Sequence, residues 1–154
     1  MDQNPNKEGR VVLVDDEEMV TRNLELLLKM ETTYEVISFN CPKAALEHLK
    51  SEPADVVLSD FIMPEMNGLD LLAAAKEHQP TCSRLLLTGY ADKGSAIRAI
   101  NEVGLFHYLE KPWENDFVML ILRNAVERSR LLHQLKDRTQ SFDSLREEVW
   151  KMLV

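Results

Sequence analysis

Three aspartates follow apolar segments of the chain, in the stretches LVDDE and LSDFIMPEMNG. Asp15 and Asp16 come directly after Leu13-Val14, and Asp60 comes shortly after Val56-Val57-Leu58. Carboxylates that meet at one sheet edge repel each other, so one of them has a raised pKa unless a cation joins them. Hard oxygen ligands with open positions suit Mg²⁺, which keeps several waters and binds through one or two carboxylates together with a phosphoryl group. If the three side chains meet, the sequence predicts a magnesium site.

A hydroxyl and an ammonium group follow two later apolar segments. Thr88 ends the run LLLT, and Lys111 follows YLE. Beside a divalent ion, Lys111 would neutralise a phosphoryl group, and Thr88 would donate a hydrogen bond to one of its oxygens. Asp60 then has the position of the nucleophile, because a carboxylate oxygen can attack phosphorus to give an acyl phosphate. Catalysis of such a transfer consists mainly of positioning and charge stabilisation.

Each of these residues also has a purely structural interpretation. Asp15 or Asp16 could cap a helix that begins near Glu17, since aspartate at an N-cap accepts backbone N–H bonds. The other three could simply start a turn, end a strand or lie on the surface. It is the occurrence of all five in order along the chain that favours chemistry.

The elements that must position these residues alternate along the chain. Short apolar runs predict strands, and the segments between them carry apolar residues at helical spacing. Such alternation with short links predicts an α/β fold with a parallel sheet covered by helices on both faces. Ligands of these folds bind beyond the carboxyl ends of the strands, where the polar residues fall. The predicted strands are 10–14, 34–39, 55–59, 84–88 and 106–109.

Length and charge restrict the class of protein. A chain of 154 residues is long enough for one domain with a core and an appendage. Residues 1–116 carry 21 acidic and 11 basic residues, and residues 117–154 carry 5 acidic and 7 basic ones. An acidic main domain argues against direct binding of nucleic acid, which needs clustered Lys and Arg. No apolar run reaches the roughly 20 residues that span a bilayer, and the polar N-terminus is unlike a signal peptide, which predicts a cytoplasmic protein without a membrane partner.

Four motifs in order make the chain similar to a known family. LVDDE, LSDFIMPEMNGLDLL, LLLTGYAD and YLEKPW resemble the receiver domain of two-component response regulators over about residues 9–125. The resemblance implies the flavodoxin-like, doubly wound five-stranded sheet of order 2-1-3-4-5. It also implies a phosphoacceptor module that receives its phosphoryl group from a sensor histidine kinase or a phosphotransfer protein in a Mg²⁺-dependent reaction.

The resemblance also implies a role for each matching residue. Asp60 would be the phosphoacceptor, and Thr88 and Lys111 would be ligands of its phosphoryl group. Thr88 and Tyr108 would form the conformational switch. The metal site would consist of Asp15, Asp16, Asp60 and the backbone carbonyl of Ile62.

The segment after the receiver-like part predicts a helical extension over residues 126–154. Large side chains recur there at alternating spacings of four and three without Gly or Pro, which is typical of a coiled coil and predicts a homodimer through this helix. The segment is too short to be an effector, so it could also link the receiver to a missing output domain. The alternative is an amphipathic helix that folds back on its own receiver. The seam residues are Leu131, Leu135, Arg138, Phe142, Leu145, Val149 and Met152.

Two other functions compete with a signalling module that is not an enzyme. A hydrolase could use the aspartyl phosphate as an intermediate, but haloacid-dehalogenase-type phosphatases have an acid two residues after the nucleophile, where this chain has Ile62. A pure interaction domain would have no reason to contain the complete set of three acids, threonine and lysine.

Overall fold

The computed structural model describes residues 9–153, apart from the side chain of Tyr90. The polar segment 1–8 and Val154, the last residue of the predicted extension, lie outside that part. Strands and helices alternate along the chain. The strands are β1 (Arg10–Val14), β2 (Glu35–Phe39), β3 (Val56–Asp60), β4 (Ser83–Thr88) and β5 (His107–Glu110). The helices are α1 (Glu18–Glu31), α2 (Pro42–Ser51), α3 (Gly68–His78), α4 (Lys93–Val103) and α5 (Asn115–Leu153).

The five strands form one parallel sheet of order β2-β1-β3-β4-β5. The predicted strands coincide with the observed ones within one residue at each end, so the α/β class and the strand order are confirmed. Because β1 and β3 are neighbours in the centre, their carboxyl ends lie side by side at one edge of the sheet. This is the switch point at which the strand order reverses.

Each central strand is apolar on both faces because helices cover both. On one face Val11 and Leu13 pack in a cluster with Leu24 of α1 and Leu122 of α5. The alternate residues of β1 belong to a second cluster, which includes side chains of α2, α3 and α4. A sheet buried in this way is rigid, so residues at the ends of its strands have fixed positions.

Local signals set the ends of the helices. Pro42 begins α2, where its missing N–H is not needed. The side chain of Asn67 caps α3 by accepting a hydrogen bond from the N–H of Asp70 at 2.9 Å. Helix α4 ends at Gly104, whose φ of 72° lies in the left-handed region that favours glycine.

Helix α5 is continuous over 39 residues and has two unlike halves. Its first half packs on the sheet as far as Ser129, which is buried, and Leu132, which is half-buried. All residues from 133 to 153 are exposed. The interpretation that the tail folds back on its own receiver is therefore wrong, and the prediction of an extended C-terminal helix is confirmed. No helix within residues 9–153 has an apolar stretch long enough to cross a bilayer.

Candidate phosphoacceptor and metal site

The carboxyl edge of the sheet brings three of the predicted acids together. Asp60 is the last residue of β3, and Asp15 and Asp16 directly follow β1. One carboxylate oxygen from each lies within 4.8 Å of the other two, the arrangement that a single metal ion needs. Asp15 is 2% exposed and Asp60 8%, whereas Asp16 is exposed to solvent. The set therefore has two buried acids at its base and one acid at its mouth.

Lys111 connects the two buried acids. Its Nζ lies 2.9 Å from Oδ2 of Asp15 and 3.1 Å from Oδ1 of Asp60. The backbone N–H of Lys111 donates to the carbonyl of Thr88 at 2.9 Å, which places the lysine beside the end of β4. One ammonium group thus faces two carboxylates, and with Asp16 the cluster keeps an excess of negative charge.

Backbone groups hold the buried carboxylates in place. Oδ1 of Asp15 accepts the N–H of Glu17 at 2.8 Å, and Oδ1 of Asp60 accepts the N–H of Phe61 at 3.0 Å. The interpretation of Asp15 as a helix cap is wrong, because the N-cap of α1 is Glu17 and the backbone N–H that Asp15 accepts is that of Glu17, before the helix begins. Asp15 also contacts Lys111, so its carboxylate belongs to the cluster.

The pKa values of these groups follow from burial and pairing. Burial raises the pKa of Asp15 and of Asp60 above the ordinary value, and hydrogen bonds from Lys111 and from the backbone offset only part of that effect. Burial, the largest single effect, would lower the pKa of Lys111, but its hydrogen bonds to the two aspartates and the negative charges of those aspartates together outweigh burial and raise it. The site therefore disfavours its own negative charge, and a hard divalent cation would relieve the excess. The donor set fits Mg²⁺.

The other predicted residues lie around this cluster. Thr88 ends β4, is fully buried, and its Oγ1 donates to the carbonyl of Gly89 at 3.2 Å. Tyr108 lies on β5 opposite Leu86 and is half-buried. Ile62 follows Asp60 in the loop before α3, and its side chain is 59% exposed. Thr88 thus ends its strand at the carboxyl edge and Ile62 follows the end of β3, whereas Tyr108 lies within β5, two residues before the end of that strand.

Sequence reasoning missed two residues that shape the site. A Cβ on Gly68 would lie 2.0 Å from the carbonyl oxygen of Asp60, so only glycine lets α3 begin against the end of β3. Asn40 donates from Nδ2 to the carbonyl of Asp15 at 2.9 Å. The signal for Asn40 was its place directly after β2, and for Gly68 its place at the start of a predicted helix.

The comparisons with known proteins agree with this geometry. The family model of the response regulator receiver domain matches residues 11–123. The chain is 31% identical over 134 residues to the hydrogenase transcriptional regulatory protein HoxA of Cupriavidus necator, a match that covers 84% of this chain and 27% of that protein. It is 34% identical to the DNA-binding transcriptional regulator NtrC of Proteus hauseri, over 80% of this chain and 26% of that one.

A solved structure shows the same fold. The response regulator receiver domain protein from Clostridium thermocellum superposes with a TM-score of 0.74 at 31% identity, covering 80% of this chain and 98% of that one. The chain belongs to the family of response regulator receiver domains, which are signalling domains of two-component systems. It spans about a quarter of the length of the curated relatives it matches.

Proposed function

We propose that Asp60 is the phosphoacceptor of this receiver domain and that the reaction requires Mg²⁺. A carboxylate oxygen of Asp60 attacks the phosphorus of a phosphohistidine on a histidine kinase or a phosphotransfer protein. The P–N bond breaks, its electron pair stays on the imidazole nitrogen, and an acyl phosphate forms on Asp60. The observation that carries the proposal is the convergence of three carboxylates, whose oxygens lie within 4.8 Å of one another at the switch point of the sheet, with the ammonium group of Lys111 bonded to two of them.

The neighbouring residues take the roles that charge and position suit. Asp15, Asp16, Asp60 and the backbone carbonyl of Ile62 would hold the ion, and its positive charge would offset the negative charge of the phosphoryl group. Lys111 provides a second positive charge. Thr88, whose hydroxyl donates to the neighbouring carbonyl of Gly89, turns toward the new phosphoryl oxygens. That movement leaves room for the half-buried Tyr108 to turn inward, so a change of charge at Asp60 reaches the surface of α4 and β5.

The test is phosphorylation of the whole chain by acetyl phosphate with and without Mg²⁺, followed by mass spectrometry. We expect one added phosphoryl group with Mg²⁺, none with EDTA, and none in Asp60→Asn. Asp70→Asn is the matched control, because Asp70 is an exposed aspartate on α3 and should leave the adduct unchanged. An adduct retained in Asp60→Asn would refute the assignment.

A hydrolytic function is not favoured. The position two residues after Asp60, where such phosphatases have an acid, holds the apolar and exposed side chain of Ile62. We propose that the chain itself is a phosphoacceptor regulatory domain of the cytoplasm and not an enzyme. We also propose that it makes no direct contact with nucleic acid, because the acids outnumber the bases in residues 1–116. Binding of the whole chain to duplex DNA at low salt would contradict this.

We further propose that the chain divides into the receiver, residues 9–125, and the extension 126–154, and that the part of the extension beyond Ser129, which is still buried, pairs two copies as a coiled coil. The exposed side chains of the seam are the support, since Leu135 and Phe142 are 58% and 62% exposed on a helix that reaches away from the sheet. Each fully buried Leu or Phe contributes roughly 1.5–3 kcal/mol to the free energy of association. Several such side chains per copy together can exceed the free-energy cost of the entropy that is lost when two copies associate. Arg138 weakens the seam at one position.

Light scattering tests this pairing. The whole chain at tens of micromolar should have the mass of a dimer, and a truncation that ends at Leu132 should be a monomer. The cut falls there because Ser129 is still buried and its hydroxyl lies 3.5 Å from Oδ1 of Asp55. A dimeric truncation would move the interface to the receiver itself.

A further inference from the structure

Asn40, which has no part in the resemblance, connects the loop after β2 to the acidic loop after β1. Its Nδ2 donates to the backbone carbonyl of Asp15 at 2.9 Å and to Oγ1 of Thr21 at 3.1 Å. The neighbouring carbonyl of Phe39 accepts the N–H of Asp15 at 3.1 Å. Both polar backbone groups of Asp15 are therefore held from the end of β2.

The orientation of the Asn40 amide follows from its two partners. A backbone carbonyl can only accept a hydrogen bond. The hydroxyl of Thr21 already donates to the carbonyl of Glu18 at 3.0 Å, so it offers a lone pair to Asn40. The NH₂ group, which has two hydrogens, satisfies both acceptors, whereas the amide oxygen in the same place would satisfy neither.

The hydrogen bond from Asn40 to the carbonyl of Asp15 also restricts the backbone of Asp16. That carbonyl belongs to the planar peptide unit that joins Asp15 to Asp16. Holding its oxygen restricts rotation of the peptide plane, and with it the direction in which the side chain of Asp16 leaves the backbone. In the described part of the chain, the carboxylates of Asp15 and Asp60 are also held directly by Lys111, but the exposed carboxylate of Asp16 has no hydrogen bond of its own. Its direction depends on its backbone.

We propose that Asn40 is a positioning residue for the cation: through the carbonyl of Asp15 it sets the direction of Asp16 and so completes the metal site. This rests on the proposed function, because it assumes that the three aspartates hold Mg²⁺. Asn40 itself does not contact the ion. Removing a hydrogen bond partner that orients a metal ligand typically weakens metal binding by about 10–100-fold, and since Asn40 acts on one of several ligands we expect a loss near tenfold.

The test is a titration of the whole ¹⁵N-labelled chain with MgCl₂, followed by the amide NMR shifts of Asp16 and Glu17. Asn40→Ala should raise the dissociation constant for Mg²⁺ by about tenfold. Asn40→Asp, which keeps the shape but turns a carboxylate oxygen toward the Asp15 carbonyl, should raise it at least as much. Asn23→Ala is the control, because Asn23 is an exposed asparagine on the nearby helix α1 and should leave the constant unchanged.

A second pair of variants tests the same network without changing Asn40. Thr21→Val removes the acceptor of the second Asn40 hydrogen bond, and Thr21→Ser keeps it. We expect Thr21→Val to weaken Mg²⁺ binding and Thr21→Ser to bind as the wild type does. Equal affinities for Mg²⁺ in the two Thr21 variants would show that the hydrogen bond between Asn40 and Thr21 does not contribute to the metal site.

Two further readouts separate positioning from a general loss of structure. Asn40→Ala should lower the melting temperature in EDTA by only a few degrees, because Asn40 itself is exposed and the variant loses its two hydrogen bonds but no core packing. Its phosphorylation by acetyl phosphate should need more Mg²⁺ while the rate at saturating Mg²⁺ stays within about twofold of the wild type, since the nucleophile is untouched. A lower melting temperature together with an unchanged affinity for Mg²⁺ would overturn the proposal and leave Asn40 a structural residue.

The possible failures are distinguishable. If the wild type does not bind Mg²⁺ or is not phosphorylated on Asp60, the proposed function fails. If the wild type does both, and Asn40→Ala binds Mg²⁺ as tightly as Asn23→Ala, only the role of Asn40 is overturned.

Discussion

The side chains at the carboxyl edge of the sheet and those of residues 133–153 of α5 find their bonding partners in opposite ways. At the sheet edge, buried charges are paired by residues far away in the chain, such as Lys111 with Asp15. In the second half of α5, every residue is exposed, and the hydrogen bonds and ion pairs of its side chains are local ones, such as Thr139 with the carbonyl of Leu135. The buried charges of the first region are paired within one chain, whereas the second region has an apolar seam that nothing else in residues 9–153 covers.

Substitutions in the two regions should therefore have different effects. A change at the sheet edge should alter the stability and chemistry of a single chain, because the partners are internal. A change on the seam should leave the single chain intact and alter its association, because there is nothing internal for it to disturb.

The largest expected effect is on association. Replacing Phe142 and Leu145 by Ser in both copies removes four apolar side chains per dimer, each contributing roughly 1.5–3 kcal/mol, so the dimer dissociation constant should rise by at least about a thousandfold. Analytical ultracentrifugation measures it. Trp150→Ser is the control, since Trp150 is exposed on the same helix but off the seam. Dissociation by Trp150→Ser alone would show that the seam is wrongly placed.

A smaller but local effect is expected at the sheet edge. In Gly68→Ala the new Cβ would overlap the carbonyl oxygen of Asp60, so β3 and α3 must separate. We expect a loss of roughly 3 kcal/mol in the free energy of unfolding, measured with urea, and weaker phosphorylation of Asp60. Gly94→Ala on α4 is the matched control, because its Cβ would have open space and should stabilise the chain by about half a kcal/mol. Equal stability of the two variants would contradict the crowding at Asp60.

The smallest expected effect concerns pH. Burial raises the folded-state pKa of Asp60 above the ordinary value of 3.8, so the folded chain takes up a proton there at higher pH than the unfolded chain. The ionised carboxyl thus destabilises the fold above its folded pKa, and this penalty disappears as pH falls through that value. In EDTA, Asp60→Asn should be more stable than the wild type at about pH 7, and the difference should shrink toward about pH 4. Urea unfolding at both pH values checks it; a difference independent of pH would contradict the sign.

The strands, the helices and the polar residues at their ends follow from the order of residues along the chain. Apolar runs that are buried on both faces predict strands whatever surrounds them, and the helical spacing of the intervening residues predicts the helices. The polar residues Asp15, Asp60 and Thr88 could be assigned to one sheet edge because the carboxyl ends of parallel strands meet there. The strand order came from the resemblance to receiver domains, since periodicity does not specify which strands are neighbours.

The contacts that hold the residues of the site depend instead on how distant parts of the chain pack together. Lys111 pairs with Asp15 as well as Asp60, at a separation of 96 residues from Asp15, and such a contact has no local signal. The short distance from Gly68 to the carbonyl of Asp60 has no local signal in the sequence either. Nor does the hydrogen bond from Asn40 to the loop after β1, because both contacts depend on how close neighbouring loops lie to each other. The tertiary structure also shows that residues 133–153 do not fold back on the receiver. The sequence could not show this, because an apolar seam indicates that the helix should be covered but not which surface covers it.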